Sequence, residues 1–72
     1  MLIERTFYIS VSKKRSQTEV FGFETKTQLP DDDNPDDLYV RDHITRRFCM
    51  DSRIPVEYRG PDYWVSAVCI DY

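Results

Sequence analysis

The sequence has few of the residues from which catalytic and cofactor sites are usually built. Its 72 residues include one histidine, two cysteines and two glycines. Two glycines are too few for a glycine-rich phosphate loop, and Cys49 and Cys69 have neither CxxC nor zinc-ligand spacing. Cys49 follows His43 by six positions, which places the two side chains on different sides of a helix. We therefore expect no catalytic residue, no cofactor and no metal ligand, and a protein that is not an enzyme.

Long apolar runs and a secretory leader are also missing from the sequence. Two isolated cysteines in a chain of this kind more often stay reduced than form a disulfide. We therefore expect a cytoplasmic protein with free thiols and no membrane partner. The length of the chain predicts a single domain that spans residues 1–72.

The apolar residues that are present alternate with polar ones in four short segments. Alternation with a period of two, rich in β-branched and aromatic residues, predicts strands. Gly22 lies between two phenylalanines in the second segment, which indicates a bulge or the close approach of another backbone. The predicted strands are residues 2–11, 18–27, 53–59 and 63–72.

A helix is predicted between the second and third strands, over residues 35–50. Asn34 suits the N-cap, and Pro35 suits the first helical position, where no N–H group is needed. Asp36 and Asp37 would meet the positive end of the helix dipole. Apolar side chains then recur at every fourth position and form a stripe that should be buried. This stripe consists of Val40, Ile44 and Phe48.

These elements predict an α+β fold of ββαββ order. The simplest packing places the one helix on a four-stranded, mainly antiparallel sheet. The last predicted strand is apolar on both faces, which favours a position at the centre of that sheet.

One helix covers only one face of a sheet, so apolar and aromatic side chains should remain on the other. Ten of the 72 residues are aromatic, and tyrosine and tryptophan are enriched at protein interfaces. We expect the uncovered face to carry Tyr8, Trp64 and Tyr72 and to bind a partner. The alternative is a sheet that curls around its own aromatic side chains, with the tyrosine hydroxyls in water.

Negative charge is concentrated in the sequence DDDNPDD at residues 31–37. The chain has 13 acidic and 10 basic residues, and without these five aspartates only eight acidic residues remain. A calcium loop is disfavoured, because Pro35 occupies the fifth position and Asp36 the position that needs glycine. Helix capping accounts for residues 34–37. Three carboxylates of this stretch are not needed for helix capping. They belong to Asp31, Asp32 and Asp33, which are called the acidic loop.

The leading hypothesis is a small protein-binding module that pairs with itself or docks on a larger protein. It would use the open aromatic sheet face and the acidic loop. Very small acidic domains are typical of phage and mobile elements, including inhibitors of CRISPR-type and other nucleic-acid-handling complexes. That analogy of size and charge favours an inhibitor whose aspartates occupy a basic groove.

The alternative hypothesis is a single-stranded nucleic-acid-binding protein. Three consecutive basic residues in the predicted first hairpin would contact phosphates, and exposed aromatic side chains would stack on bases. The overall negative charge and the lack of an RNP-type run count against it. The three consecutive basic residues, Lys13, Lys14 and Arg15, are called the basic turn.

Overall fold

The chain folds as one α-helix packed on a three-stranded antiparallel sheet, in a computed structural model that describes residues 1–71. The predicted α+β class is confirmed, but the sheet has three strands rather than the predicted four. Within the described residues, the strands and the helix are β1 (Leu2–Lys13), β2 (Glu19–Pro30), α1 (Leu38–Phe48) and β3 (Tyr63–Cys69).

The first strand, not the last, lies at the centre of the sheet, in the order β2-β1-β3. β1 and β2 form a hairpin paired along nearly their whole length, and β3 pairs with β1 from Phe7 to Lys13. The prediction that the last strand would be central was therefore wrong. The consecutive strands β1 and β2 pair directly, and β3 joins the remaining edge of β1 rather than the free edge of β2.

The segment predicted as a third strand, residues 53–59, forms a turn and a short 3₁₀ helix at Val56–Tyr58 instead. Its backbone groups bond locally: Tyr58 N donates to Pro55 O at 2.9 Å. Arg59 Nε donates to Ile54 O at 2.8 Å. Ile54 is fully buried and anchors the segment to the core. A strand is ruled out because these local bonds use the groups that a ladder needs, and Pro55 has no N–H to offer.

The helix begins at Leu38, three residues later than predicted, and ends at Phe48. Asn34 Oδ1 accepts a hydrogen bond from Asp36 N at 3.0 Å, which closes a turn ahead of the helix. Asp37 is the N-cap, and its Oδ1 accepts from Tyr39 N at 2.8 Å. The assignment of Asn34 as N-cap was therefore wrong, because its side chain stabilises a local turn that competes with helix.

The core lies between the helix and one face of the sheet. Phe7 and Ile9 of β1 are completely buried there. The predicted apolar stripe of the helix is confirmed: Ile44 and Phe48 are buried, and Val40 packs at the margin. Burying a side chain of this size contributes about 1.5–3 kcal/mol. The buried apolar residues are Phe7, Ile9, Val11, Leu29, Ile44, Phe48, Ile54 and Ala67.

Candidate functional site

The helix covers one face of the sheet, and the opposite face, called the open face here, carries the even-numbered residues of β1 and β3. The register places Tyr8 between Glu24 and Val68, and Ser12 opposite Trp64. Side chains alternate along a strand, so the cross-strand neighbours of Tyr8 share its face. The open face consists of Leu2, Glu4, Thr6, Tyr8, Ser10, Ser12, Glu19, Gly22, Glu24, Lys26, Gln28, Trp64, Ser66 and Val68.

The open face is apolar on the β3 side and polar on the β2 side. Trp64 is 52% exposed and Val68 is 43% exposed, although both are large apolar side chains. Leu2, at the start of β1, is 59% exposed. Across the face, Lys26 Nζ lies 3.8 Å from Glu4 Oε1 in an exposed ion pair. Ser66 separates Trp64 from Val68 along β3. An exposed tryptophan on an uncovered sheet face is typical of a binding surface.

Tyr8 lies flat on the polar side of the open face, over Gly22. A methyl group at position 22 would lie only 2.5 Å from Tyr8 Cζ, so no larger residue fits under the ring. Tyr8 Oη donates to Glu19 Oε2 at 2.9 Å, and Ser10 Oγ donates to Glu19 Oε1 at 2.6 Å. The close approach predicted at Gly22 is thus made by a side chain rather than by a backbone.

Glu19 belongs to this arrangement, and sequence reasoning missed it. Strict alternation places Glu19 on the same face as Phe21 and Phe23. The pairing of β1 with β2 shifts register between Val11 and Ser12, and Glu19 therefore lies opposite Ser12. Its carboxylate, by accepting the phenol hydrogen bond, raises the pKa of Tyr8, and partial burial and negative charge add to the shift.

The acidic loop and the basic turn lie at opposite ends of the sheet. Asp31 N donates to Met1 O at 2.9 Å, so the acidic loop adjoins the start of β1. The basic turn begins at Lys13, the last residue of the twelve-residue strand β1. A strand of that length spans about 40 Å, which agrees with the 38 Å long axis of the molecule. The molecule therefore carries positive charge at one end and negative charge at the other.

The basic turn borders an open depression that Asp62 and Tyr63 also line. Lys14 N donates to Asp62 O at 3.0 Å, which joins the turn to the start of β3. The ring of Tyr63 packs edge-on against Tyr58, with ring centroids 5.4 Å apart. The carboxylate of Asp62 reduces the attraction of this depression for an anion.

The other candidate residues do not form a site. His43 is exposed on the helix, and Cys49 Sγ donates to Arg46 O at 3.2 Å. Within residues 1–71, no group of three or more His, Cys, Asp or Glu side chains is placed to hold a metal ion. Tyr72, expected on the uncovered face, lies outside the described residues. Of the proposed partner-binding residues, the open face brings Tyr8 and Trp64 together, whereas the acidic loop lies beyond one end of it.

Arg53 closes the core on the β2 side, and its contacts are structural. Its guanidinium lies 4.3 Å from the ring centroid of Phe23 and donates to Thr25 Oγ1 at 3.0 Å. It also donates twice to the carboxylate of Asp51. These hydrogen bonds lower the pKa of Asp51. The pair thus covers part of Phe23 and Thr25, although the side chain of Arg53 remains 47% exposed.

Comparison of the chain with protein-family models, with curated proteins and with solved structures finds no significant match. The helices within residues 1–71 are all too short or too polar to cross a membrane. Function therefore has to be argued from the open face and the two charged ends alone.

Proposed function

We propose that the protein is a small, non-enzymatic protein-binding module that receives its partner on the open face. The observation that carries this proposal is the exposure of two large apolar side chains of β3, Trp64 and Val68, on the sheet face that the helix does not cover. Burying a half-exposed tryptophan on a partner removes a large apolar area from water, and such residues dominate binding energy at interfaces.

The face is better suited to binding than the edges of the sheet. On the β3 edge, Arg41 Nε donates to Ala67 O at 3.0 Å, so this backbone acceptor is already bonded. The β2 edge carries the exposed charged residues Glu24 and Lys26, which disfavour the addition of another strand. Both edges of the sheet thus have features that protect against pairing with another strand. The apolar half of the open face has no comparable protection.

The acidic loop would orient the partner. All three of its side chains are exposed, and the only ion pair they make with described residues joins Asp31 Oδ1 to the Met1 amino group at 3.9 Å. Free charge of one sign at the end of a binding face steers a partner of opposite charge. A narrower version of the proposal is an inhibitor from a phage or mobile element that blocks a nucleic-acid-handling complex, CRISPR-type or other, by filling a basic groove.

Site-specific photo-crosslinking tests the proposal. A benzophenone side chain replaces Trp64 in one variant and Val56 in a control variant, and each is irradiated in cells that naturally produce the protein. Val56 is 78% exposed but lies in the 3₁₀ helix, away from the open face. We expect a defined protein adduct from position 64 and none from position 56. Equal labelling from both positions, or no adduct from position 64, would refute binding through this face.

A second candidate function is binding of single-stranded nucleic acid. It is favoured by one observation: the basic turn adjoins the end of the open face where Trp64 lies, so phosphate contacts and base stacking are possible together. Fluorescence anisotropy with a labelled oligonucleotide tests it. If the protein binds single-stranded nucleic acid, its affinity for the oligonucleotide should weaken as the salt concentration rises, and Lys14→Gln should reduce it. An absence of binding at low salt would exclude this function.

A further inference from the structure

We propose that the partner of the open face is a second copy of this chain, stacked face to face with its long axis reversed. This inference rests on the proposed function and identifies the partner. It follows from three features of the described residues: the position of charge along the sheet, the position of Trp64 and Leu2, and the size of the open face.

Charge selects the reversed orientation. Two sheets that stack with their strands nearly aligned can place like ends together or opposite ends together. Like ends would set basic turn against basic turn and acidic loop against acidic loop. Opposite ends set the basic turn of each copy near the acidic loop of the other, which gives two attractive contacts related by one twofold axis. The 38 Å separation of the ends exceeds the screening length of about 8 Å in physiological salt, so the two contacts act independently.

The apolar side chains fit the same arrangement. Tyr8 lies near the middle of β1, and Trp64 pairs with Ser12, four residues towards the basic turn. Reversal about Tyr8 directs Trp64 of one copy to the level of Glu4 of the other copy, where the next open-face residue towards the end of the sheet is the 59% exposed Leu2.

The size of the face predicts how strong the dimer is. Two strands about as long as the 38 Å axis of the molecule and one of seven residues, about 4.8 Å apart, present a flat area of roughly 500 Å² per copy. Stable interfaces bury about 800 Å² per partner, so the open face lies at the low end, with transient complexes. We therefore expect a reversible dimer that dissociates on dilution and in high salt.

Charge reversal with complementation tests the orientation by sedimentation velocity. One variant carries K13E, K14E and R15E in the basic turn, and the other carries D31K, D32K and D33K in the acidic loop. Each variant alone repels itself at both contacts and should be monomeric. An equimolar mixture restores both attractions and should form a heterodimer. A chain with all six changes keeps the wild-type net charge and should dimerise alone. Circular dichroism checks that each variant folds.

Replacement of Trp64 tests the face. Trp64→Glu should raise the dissociation constant at least tenfold, and Val56→Glu, which adds the same charge on the helix side of the molecule, should leave it unchanged. Dimerisation unaffected by Trp64→Glu would overturn stacking on the open face, and mixing that fails to restore association would overturn the reversed orientation. If the wild-type protein stays monomeric at its highest soluble concentration, the proposal that the partner is a second copy of the chain is overturned. In that case, an adduct with a different protein from position 64 would still support the proposed function.

Discussion

The ring of Tyr8 occupies the space over Gly22 that any side chain at position 22 would need. The hydroxyl of Tyr8 reaches past Gly22 to the carboxylate of Glu19, which also accepts a hydrogen bond from Ser10. The glycine, the tyrosine and the bulge that turns Glu19 onto the open face therefore form one unit. This unit fixes the shape of the polar half of the open face.

Gly22→Ala is expected to lower the free energy of unfolding by about 1 kcal/mol, because the new methyl group forces Tyr8 away from Glu19 and breaks their hydrogen bond. In a Tyr8→Ala background the same substitution should stabilise the protein by about 0.5 kcal/mol, since alanine loses less backbone entropy than glycine. Urea unfolding of the four proteins in this double-mutant cycle measures the coupling. A loss of stability in both backgrounds would show that the ring is not the cause.

Ionisation of Tyr8 reports the contact with Glu19. The hydrogen bond to the carboxylate raises the pKa of Tyr8 above its usual value of 10.0. The corresponding stability is present below pH 10 and is lost as the pH rises through the raised pKa. Glu19→Gln should move the pKa back towards 10.0, and Glu24→Gln, the control, should move it much less. The absorbance change at high pH, taken as the difference from a Tyr8→Phe protein, measures this, and equal shifts in both variants would contradict the assignment.

The Asp51–Arg53 pair should govern part of the stability at low pH. Asp51 accepts from Arg53 N, Nε and Nη2, and these bonds lower its pKa below the usual 3.8. The stability contributed by the pair is therefore present above pH 3.8 and is lost as the pH falls through the lowered pKa. Asp51→Asn should cost about 1 kcal/mol at pH 7 and little at the acid end, as measured by urea unfolding.

Asp42→Asn is the matched control for that experiment. Asp42 pairs with Arg46 at 3.1 Å, but both side chains are largely exposed, so the change should stay within about 0.5 kcal/mol at either pH. An equal effect of the two substitutions would mean that the hydrogen bonds of Asp51 contribute no more than an exposed ion pair.

The elements that the sequence predicts correctly are those with a sustained period. Alternation gives β1, β2 and β3, and the four-residue recurrence of Val40, Ile44 and Phe48 gives the buried side of the helix. The segment at residues 53–59 also alternates, but Arg59 Nε donates to Ile54 O within it and Arg53 N donates to the side chain of Asp51. These local hydrogen bonds compete with strand pairing for the same backbone groups. The periodicity of the sequence does not reveal them, because they depend on where Arg53 and Arg59 lie in three dimensions.

The candidate site was predictable to a similar extent. Alternation alone places Tyr8 and Trp64 on one face, and one helix cannot cover both faces of a sheet. Glu19 was not predictable, because a single bulged residue reverses the face of everything before it in the strand. The polarity of charge along the sheet follows from the hairpin of β1 and β2, whose turn carries the basic residues and whose open end carries the acidic loop.

The start of the helix gives a last test of how the aspartate-rich stretch is used. Asp37 caps the helix through Tyr39 N, whereas Asn34 bonds Asp36 N in the preceding turn. Asp37→Ala should lower the free energy of unfolding by about 1 kcal/mol, and Asp37→Asn, which keeps a capping oxygen, should cost much less. Asn34→Ala should cost only a few tenths of a kcal/mol, because its turn is exposed and lies outside the helix. Urea unfolding ranks the three variants, and a larger loss for Asn34→Ala than for Asp37→Ala would return the N-cap to Asn34. With the expected ranking, residues 34–37 have structural roles, and only the acidic loop remains available to a partner.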